Sequence, residues 1–195
     1  MLVMKANRLV VAFAVLALSP LAASAAIIFD NVVITGALAA GGSWNTTPDA
    51  IEFDFPSAEV GDNLAVRSGT ISLTFLVTSE IPLTADIIEL AAPAGLFGSG
   101  RIVFSEVIEV LNGDGPEIIG SYSVVLDANS PLPHTDTLFF SKPATEFKVK
   151  KSVTLVAPET SVFDYASLAS VRQQFIPEPA GALLLLLGAP LLRRR

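Results

Sequence analysis

The chain contains no cysteine in its 195 residues. No disulfide can brace it, so the fold must be held by its core, and zinc or iron–sulfur sites built on thiolates are excluded. Histidine is almost as scarce, with His134 alone. A histidine-rich metal site is therefore impossible, and an imidazole base for nucleophilic catalysis has one candidate. Positive charge is also in short supply where it would matter. Of twelve Lys and Arg, five lie at the two ends (Lys5, Arg8, Arg193, Arg194, Arg195), which leaves seven against nineteen acidic residues, a net charge of −12. Such a surface repels phosphate backbones, and nucleic acid is excluded as a partner. Acidic polymers are repelled too at low salt, unless divalent cations bridge the surfaces. Internal repeats and low-complexity tracts are missing.

What is present divides the chain into three. Residues 1–25 carry a short basic start (Lys5, Arg8), an apolar stretch over 9–21 broken by Ser19-Pro20, and then Ala23-Ser24-Ala25. That is the pattern of a secretory signal peptide with small residues at Ala23 and Ala25 for signal peptidase cleavage. At about 20 Å if helical, the run is short for a hydrocarbon core of roughly 30 Å, which disfavours a permanent membrane helix. At the other end, Pro177-Glu178-Pro179 precedes an uncharged run over 180–192 that holds Leu183, Leu184, Leu185, Leu186, Leu187, Leu191 and Leu192, and the chain closes on Arg193, Arg194 and Arg195. Seven leucines at about −0.5 kcal/mol each favour insertion by roughly 3.5 kcal/mol, which Gly181, Gly188 and Pro190 erode. A transmembrane helix of this length crosses only by thinning the bilayer, so its residence in the membrane is expected to be transient. The terminal arginines act as stop charges on the cytoplasmic side.

This carboxy-terminal arrangement resembles the PEP-CTERM sorting signal of Gram-negative bacteria. The resemblance covers the last 19 residues, with Pro177, Glu178 and Pro179 as the motif. It implies recognition in the membrane by an exosortase, a cysteine-dependent transpeptidase-like enzyme, and cleavage near the motif. It further implies export across the inner membrane to the cell surface or medium, and association with an exopolysaccharide, biofilm or floc matrix. Gln173-Gln174-Phe175 is similar to the Gln-x-Phe-like strand that often precedes the signal in that family.

Residues 26–176 are enough for one domain with its own core. They read as short runs rich in Val, Ile, Phe and Thr, bounded by Gly, Pro, Asn and Asp. Strands are expected over 27–35, 51–55, 70–78, 86–90, 101–111, 117–127, 136–141 and 145–156. The last alternates most cleanly, with Phe147, Val149, Lys151, Val153 and Leu155 on one side. Lys151 breaks the pattern, and is read as an inward-pointing guard on an edge strand. Asn112-Gly113-Asp114-Gly115-Pro116 predicts a hairpin between 101–111 and 117–127. Residues 161–175 fit both periodicities, and the closing strand of a sandwich is preferred. The segment 36–42 reads as a loop and 175–179 as a linker. The expected fold is all-β, a single antiparallel β-sandwich of jelly-roll or immunoglobulin-like type.

The chemistry offered is sparse. His134 sits between Pro131-Leu132-Pro133 and Thr135-Asp136 and reads as a solvated loop residue; Gly98-Ser99-Gly100 falls short of a nucleophile elbow. Glu52 and Asp54 should project from one strand face about 7 Å apart, within the range of inverting glycosidases, although a solvent face gives the same pattern. Asn112, Asp114 and Glu117, and separately Glu59, Asp62 and Asn63, offer oxygens to calcium, but neither set matches an EF-hand loop. Trp44 can stack on a sugar ring or plug a loop. No catalytic residue, metal ligand or cofactor is assigned. The expected function is that of a non-enzymatic surface or matrix protein, with a carbohydrate-binding or calcium-dependent adhesion module as the alternative and an extracellular hydrolase a distant third.

Overall fold

The computed structural model describes residues 26–92, 94–112, 115–159 and 163–178. They form nine strands: β1 Ile27–Thr35, β2 Ser43–Thr46, β3 Ala50–Gly61, β4 Ser68–Ala91, β5 Leu96–Phe97, β6 Arg101–Asn112, β7 Gly115–Leu126, β8 His134–Val156 and β9 Tyr165–Pro177. The pairing order is β2-β3-β9-β4-β8-β6-β7, with β1 on β4 and β5 on β9, and every pair is antiparallel. Among the described residues there is no helix, and hence none long and apolar enough to cross a membrane.

Two strands make the fold. β4 has 24 residues and β8 has 23, so each would run about 75–80 Å if straight. They bend instead. The β4–β8 ladder loses register between Thr78 and Leu83 and again before Ala85, next to Pro82 and Pro143. A proline ring cannot donate to a ladder, so the slip falls where pairing is weakest. Before the bend β4 pairs with β1, and beyond it with β9. The continuous sheet therefore folds over itself as a β-sandwich. One layer holds β1, the first half of β4, the second half of β8, β6 and β7. The other holds β2, β3, β9 and the remaining halves of β4 and β8.

The layers meet through phenylalanines. Phe53 of β3 lies 5.6 Å from Phe75 of β4, and Phe147 of β8 lies 5.6 Å from Phe175 of β9, centroid to centroid. All four rings are buried, among Ile51, Ile71, Leu73, Leu83, Ile88 and Leu90. The inward side of β8 carries Phe147, Val149, Lys151, Val153 and Leu155, the face that the alternation predicts.

Several expectations change. The predicted strands 70–78 and 86–90 are one strand, as are 136–141 and 145–156. β2 and β5, four and two residues long, add to the expected strands. The 6–7 hairpin is present, with Asn112 opposite Gly115. Residues 175–177 belong to β9 rather than to a linker: Phe175 is buried, Pro177 pairs with Leu83, and the Glu178 amide donates to the Pro82 carbonyl at 2.8 Å.

Candidate functional site

At one end of the sandwich three rings come together. Phe97 ends β5, Phe163 precedes β9 and Tyr165 begins it, and the pairing Phe97↔Tyr165 fixes the register. Phe163 and Tyr165 lie nearly parallel, 13° apart at 6.3 Å, and Phe97 tilts against both at 6.2–6.3 Å. Phe97 and Phe163 are half exposed, at 51% and 49%. The shelf is held from beneath. Asp164 is fully buried; its carboxylate accepts from the Ser99 amide, while its own amide donates to Asp62 Oδ2 at 2.8 Å and its carbonyl accepts from the Asp62 amide at 3.0 Å. Arg67 pairs with Asp62. The Asp164 amide and the Arg67 guanidinium hold the Asp62 carboxyl below the usual range. Gly98 and Gly100 fit this packing: Gly98 takes a positive φ of 58°, and a Cβ on Gly100 would collide with the Tyr165 carbonyl.

Beside the shelf opens a groove of about 490 Å³ lined by Ser43, Asp54, Glu59, Tyr165 and Ser167, with Pro56 and Leu168 among its apolar walls. Tyr165 belongs to both features, and its hydroxyl donates to Glu59 Oε2 at 2.7 Å. Burial and this bond raise the Tyr165 pKa, so the phenol stays protonated. Flat apolar faces beside fixed carboxylate and hydroxyl groups make a surface that can hold a polyhydroxylated ring by its C–H face and its hydroxyls together.

A second polar feature lies between the layers. Asp86, Glu106, Lys151 and Gln173, from β4, β6, β8 and β9, are all buried. Lys151 Nζ donates to Glu106 Oε1 at 2.7 Å, and Gln173 Nε2 donates to the same oxygen at 2.6 Å and also to Asp86 Oδ2. Burial, then the charge of Glu106, pushes the Asp86 carboxyl up to about 8. Lys151 is thus not an edge guard. β8 lies between β4 and β6, and its inward lysine is held by a buried carboxylate.

The remaining sequence candidates are dispersed. Glu52 and Asp54 share the outward face of β3, where Asn45 Nδ2 donates to Asp54 Oδ2 at 3.4 Å; Asp54 lines the groove. Trp44 is on β2 opposite Phe53, 46% exposed, and does not line the groove. His134 is the first residue of β8 rather than a loop residue, and its Nε2 lies 2.9 Å from the Tyr122 hydroxyl, so its partner is a phenol and not a serine. Of the calcium candidates, Asp62 is occupied by Arg67 and the Asp164 amide, and Glu117 pairs with Lys142. Among the described residues no three His, Asp or Glu converge to hold a metal ion. The residues of the expected signal peptide, Asp114, Pro179, the leucine run and the terminal arginines lie outside the described residues. The sequence does not show the aromatic shelf, since Phe97 lies more than 60 residues before Phe163 and Tyr165 and only the β5–β9 pairing brings it to them.

No family model matches the chain, and no curated protein matches it. Solved structures give general likenesses of β-sandwich type. The carbohydrate-binding module TmCBM61 in complex with β-1,4-galactotriose superposes with a TM-score of 0.37 at 12% identity, over 76% of this chain and 89% of that one. A family 4 carbohydrate-binding module gives 0.31 at 12% identity, over 75% and 86%. The family 11 module from Clostridium thermocellum, in complex with a β-1,3-1,4-mixed-linked tetrasaccharide, gives 0.29 at 9% identity, over 80% and 89%.

Proposed function

We propose that this chain is a non-enzymatic surface or matrix protein whose β-sandwich binds a neutral glycan, exported by its amino-terminal signal and processed by an exosortase at Pro177-Glu178-Pro179. The observation that carries the binding reading is the half-exposed shelf of Phe97, Phe163 and Tyr165 beside a groove with Asp54, Glu59, Ser43 and Ser167. The acidic surface selects against anionic polysaccharide, and neutral sugars fit the apolar shelf and its hydroxyl and carboxylate partners. The sorting signal supports the setting, since matrix polysaccharide lies where such a protein would be delivered.

Calorimetric titration with neutral β-linked oligosaccharides tests this. Binding should be measurable for the wild type and weakened at least about tenfold, the equivalent of about 1.4 kcal/mol, by Phe163→Ala. Phe139→Ala, a 75% exposed ring remote in the pairing order, should leave affinity unchanged. Absence of binding to every neutral glycan tried, or equal loss in both variants, would overturn the reading.

A further inference from the structure

The buried polar cluster is chemically unusual beyond its burial. Asp86 and Gln173 are 0% exposed, Glu106 1% and Lys151 3%, and each comes from a different strand. Lys151 Nζ lies 5.3 Å above the Phe104 ring. Asp86 Oδ1, Glu106 Oε2 and Gln173 Oε1 are buried with no hydrogen-bond partner. A buried ion pair is tolerated when its remaining lone pairs are satisfied, and here three are not. The set nevertheless holds the three parts an amide condensation needs: an amine, a carboxyl group and a second carboxylate bonded to the amine.

We propose that Lys151 and Asp86 become joined by an intramolecular isopeptide bond, with Glu106 carrying the proton. Glu106 takes a proton from the Lys151 ammonium along their hydrogen bond, which leaves a neutral amine. The Nζ lone pair attacks Cγ of the protonated Asp86 carboxyl, forming the C–N bond while the carbonyl pair moves onto oxygen. As that pair returns, the C–OH bond breaks, and the hydroxyl departs as water with a proton from the former amine relayed through Glu106. One carboxylic acid, one ammonium and one carboxylate become one amide, one water and one carboxylic acid. No oxidant, reductant or activated co-reactant is required.

The surroundings favour each part. Desolvation keeps Asp86 protonated, so that its hydroxyl can leave as water. Shared partners hold Lys151 and Asp86 in one buried cluster: Glu106 Oε1 accepts from both Lys151 and Gln173, and Gln173 also donates to Asp86. The dry core removes bulk water from the product and slows its hydrolysis. The bond would join β4 in one layer to β8 in the other. In a chain without cysteine it gives the covalent tie that a disulfide gives elsewhere. It stands independently of the glycan reading.

Tryptic mapping of the folded full chain by mass spectrometry decides the matter. Peptide 68–101, which holds Asp86, should appear joined to peptide 151–172, lighter by one water, because trypsin cannot cut after an acylated Lys151. Glu106→Gln is nearly isosteric, and although it takes the buried counter-charge from Lys151, its folded fraction should return peptides 68–101 and 152–172 separately. Asp86→Ala should do the same. Separate, unmodified peptides from the folded wild type would overturn the proposal. A bridge from Lys151 to the peptide beginning at Gln173, lighter by ammonia, would also overturn it by making the amide the electrophile.

Discussion

Lys151 shows how one side chain can decide the character of a core. Its neighbours on the inward face of β8 are Val149 and Val153, and it is accommodated only because Glu106 meets it at 2.7 Å. Removing one partner of a buried pair leaves the other charge uncompensated, so Lys151→Met should cost about 3–5 kcal/mol near pH 8. The pH dependence follows from Asp86. Its folded pKa of about 8 exceeds the unfolded 3.8, so between these values the folded state binds a proton that the unfolded state has released, and stability falls as pH rises. Lys151→Met cannot form the proposed bond and leaves Asp86 a free acid, so its melting temperature should fall steadily from about pH 4 to pH 8. The wild type, with Asp86 held as an amide, has no such proton to lose and should melt with little slope across the same range. Thermal melts of both proteins read this directly. Parallel slopes would mean that Asp86 remains a free acid in the wild type.

At the scale of elements, β8 sets the register of the sandwich, because it pairs with β4 along its length and with β6 along its second half. Phe147 is 1% exposed and touches Phe140 and Phe175, whereas Lys148 is partly exposed. Phe147→Asp should therefore destabilise by several kcal/mol, on the order of 3–5, and Lys148→Asp by less than about 0.5 kcal/mol. Equal melting shifts would show that β8 is out of register. This strand was legible because a period of two survives along 145–156. Its continuation back to His134 was not, since Ser141-Lys142-Pro143 has the composition of a turn, and the sequence from Ser79 to Pro82 hides the continuity of β4 in the same way. β2 and β5 are too short to show a period, and they matter because β5 places Phe97 against Tyr165. The buried cluster was half visible: Lys151 stood out of its pattern, but nothing local could say that residues 86, 106 and 173 would face it. A further test concerns the turn that supports the shelf. Gly100→Ala drives a Cβ into the Tyr165 backbone, so it should lower the melting temperature and weaken glycan binding together, whereas Gly115→Ala meets open space and can act only through its positive φ of 117°. Calorimetry and thermal melts of the two variants compare the effects, and unchanged binding in Gly100→Ala would separate the shelf from the turn beneath it.

For the whole molecule, the folded body reaches into the proposed sorting motif. Pro177 is the last residue of β9, and the Glu178 amide is tied to Pro82 across the bend of β4. A processing enzyme that needs an extended, unpaired segment is therefore expected to cut after Glu178, where removal of the tail leaves every rung of β9 intact. Intact-mass analysis of the exported protein should find a species lacking residues 1–25 and 180–195 and ending at Glu178 or Pro179; a species from the medium that retains the leucine run would overturn the processing scheme. Two lesions should then behave differently in a host that carries an exosortase. Replacing Pro177 and Pro179 by alanine removes the residues that keep the segment out of a helix, and an uncut, membrane-bound precursor should accumulate. Replacing Arg193, Arg194 and Arg195 by serine removes the charges that hold the terminus on the cytoplasmic side, and the tail should slip through the bilayer so that part of the protein leaks uncut. Fractionation followed by mass analysis distinguishes the two products. If both variants are cut and exported like the wild type, the resemblance to the sorting signal is accidental and the leucine run is a plain tail anchor.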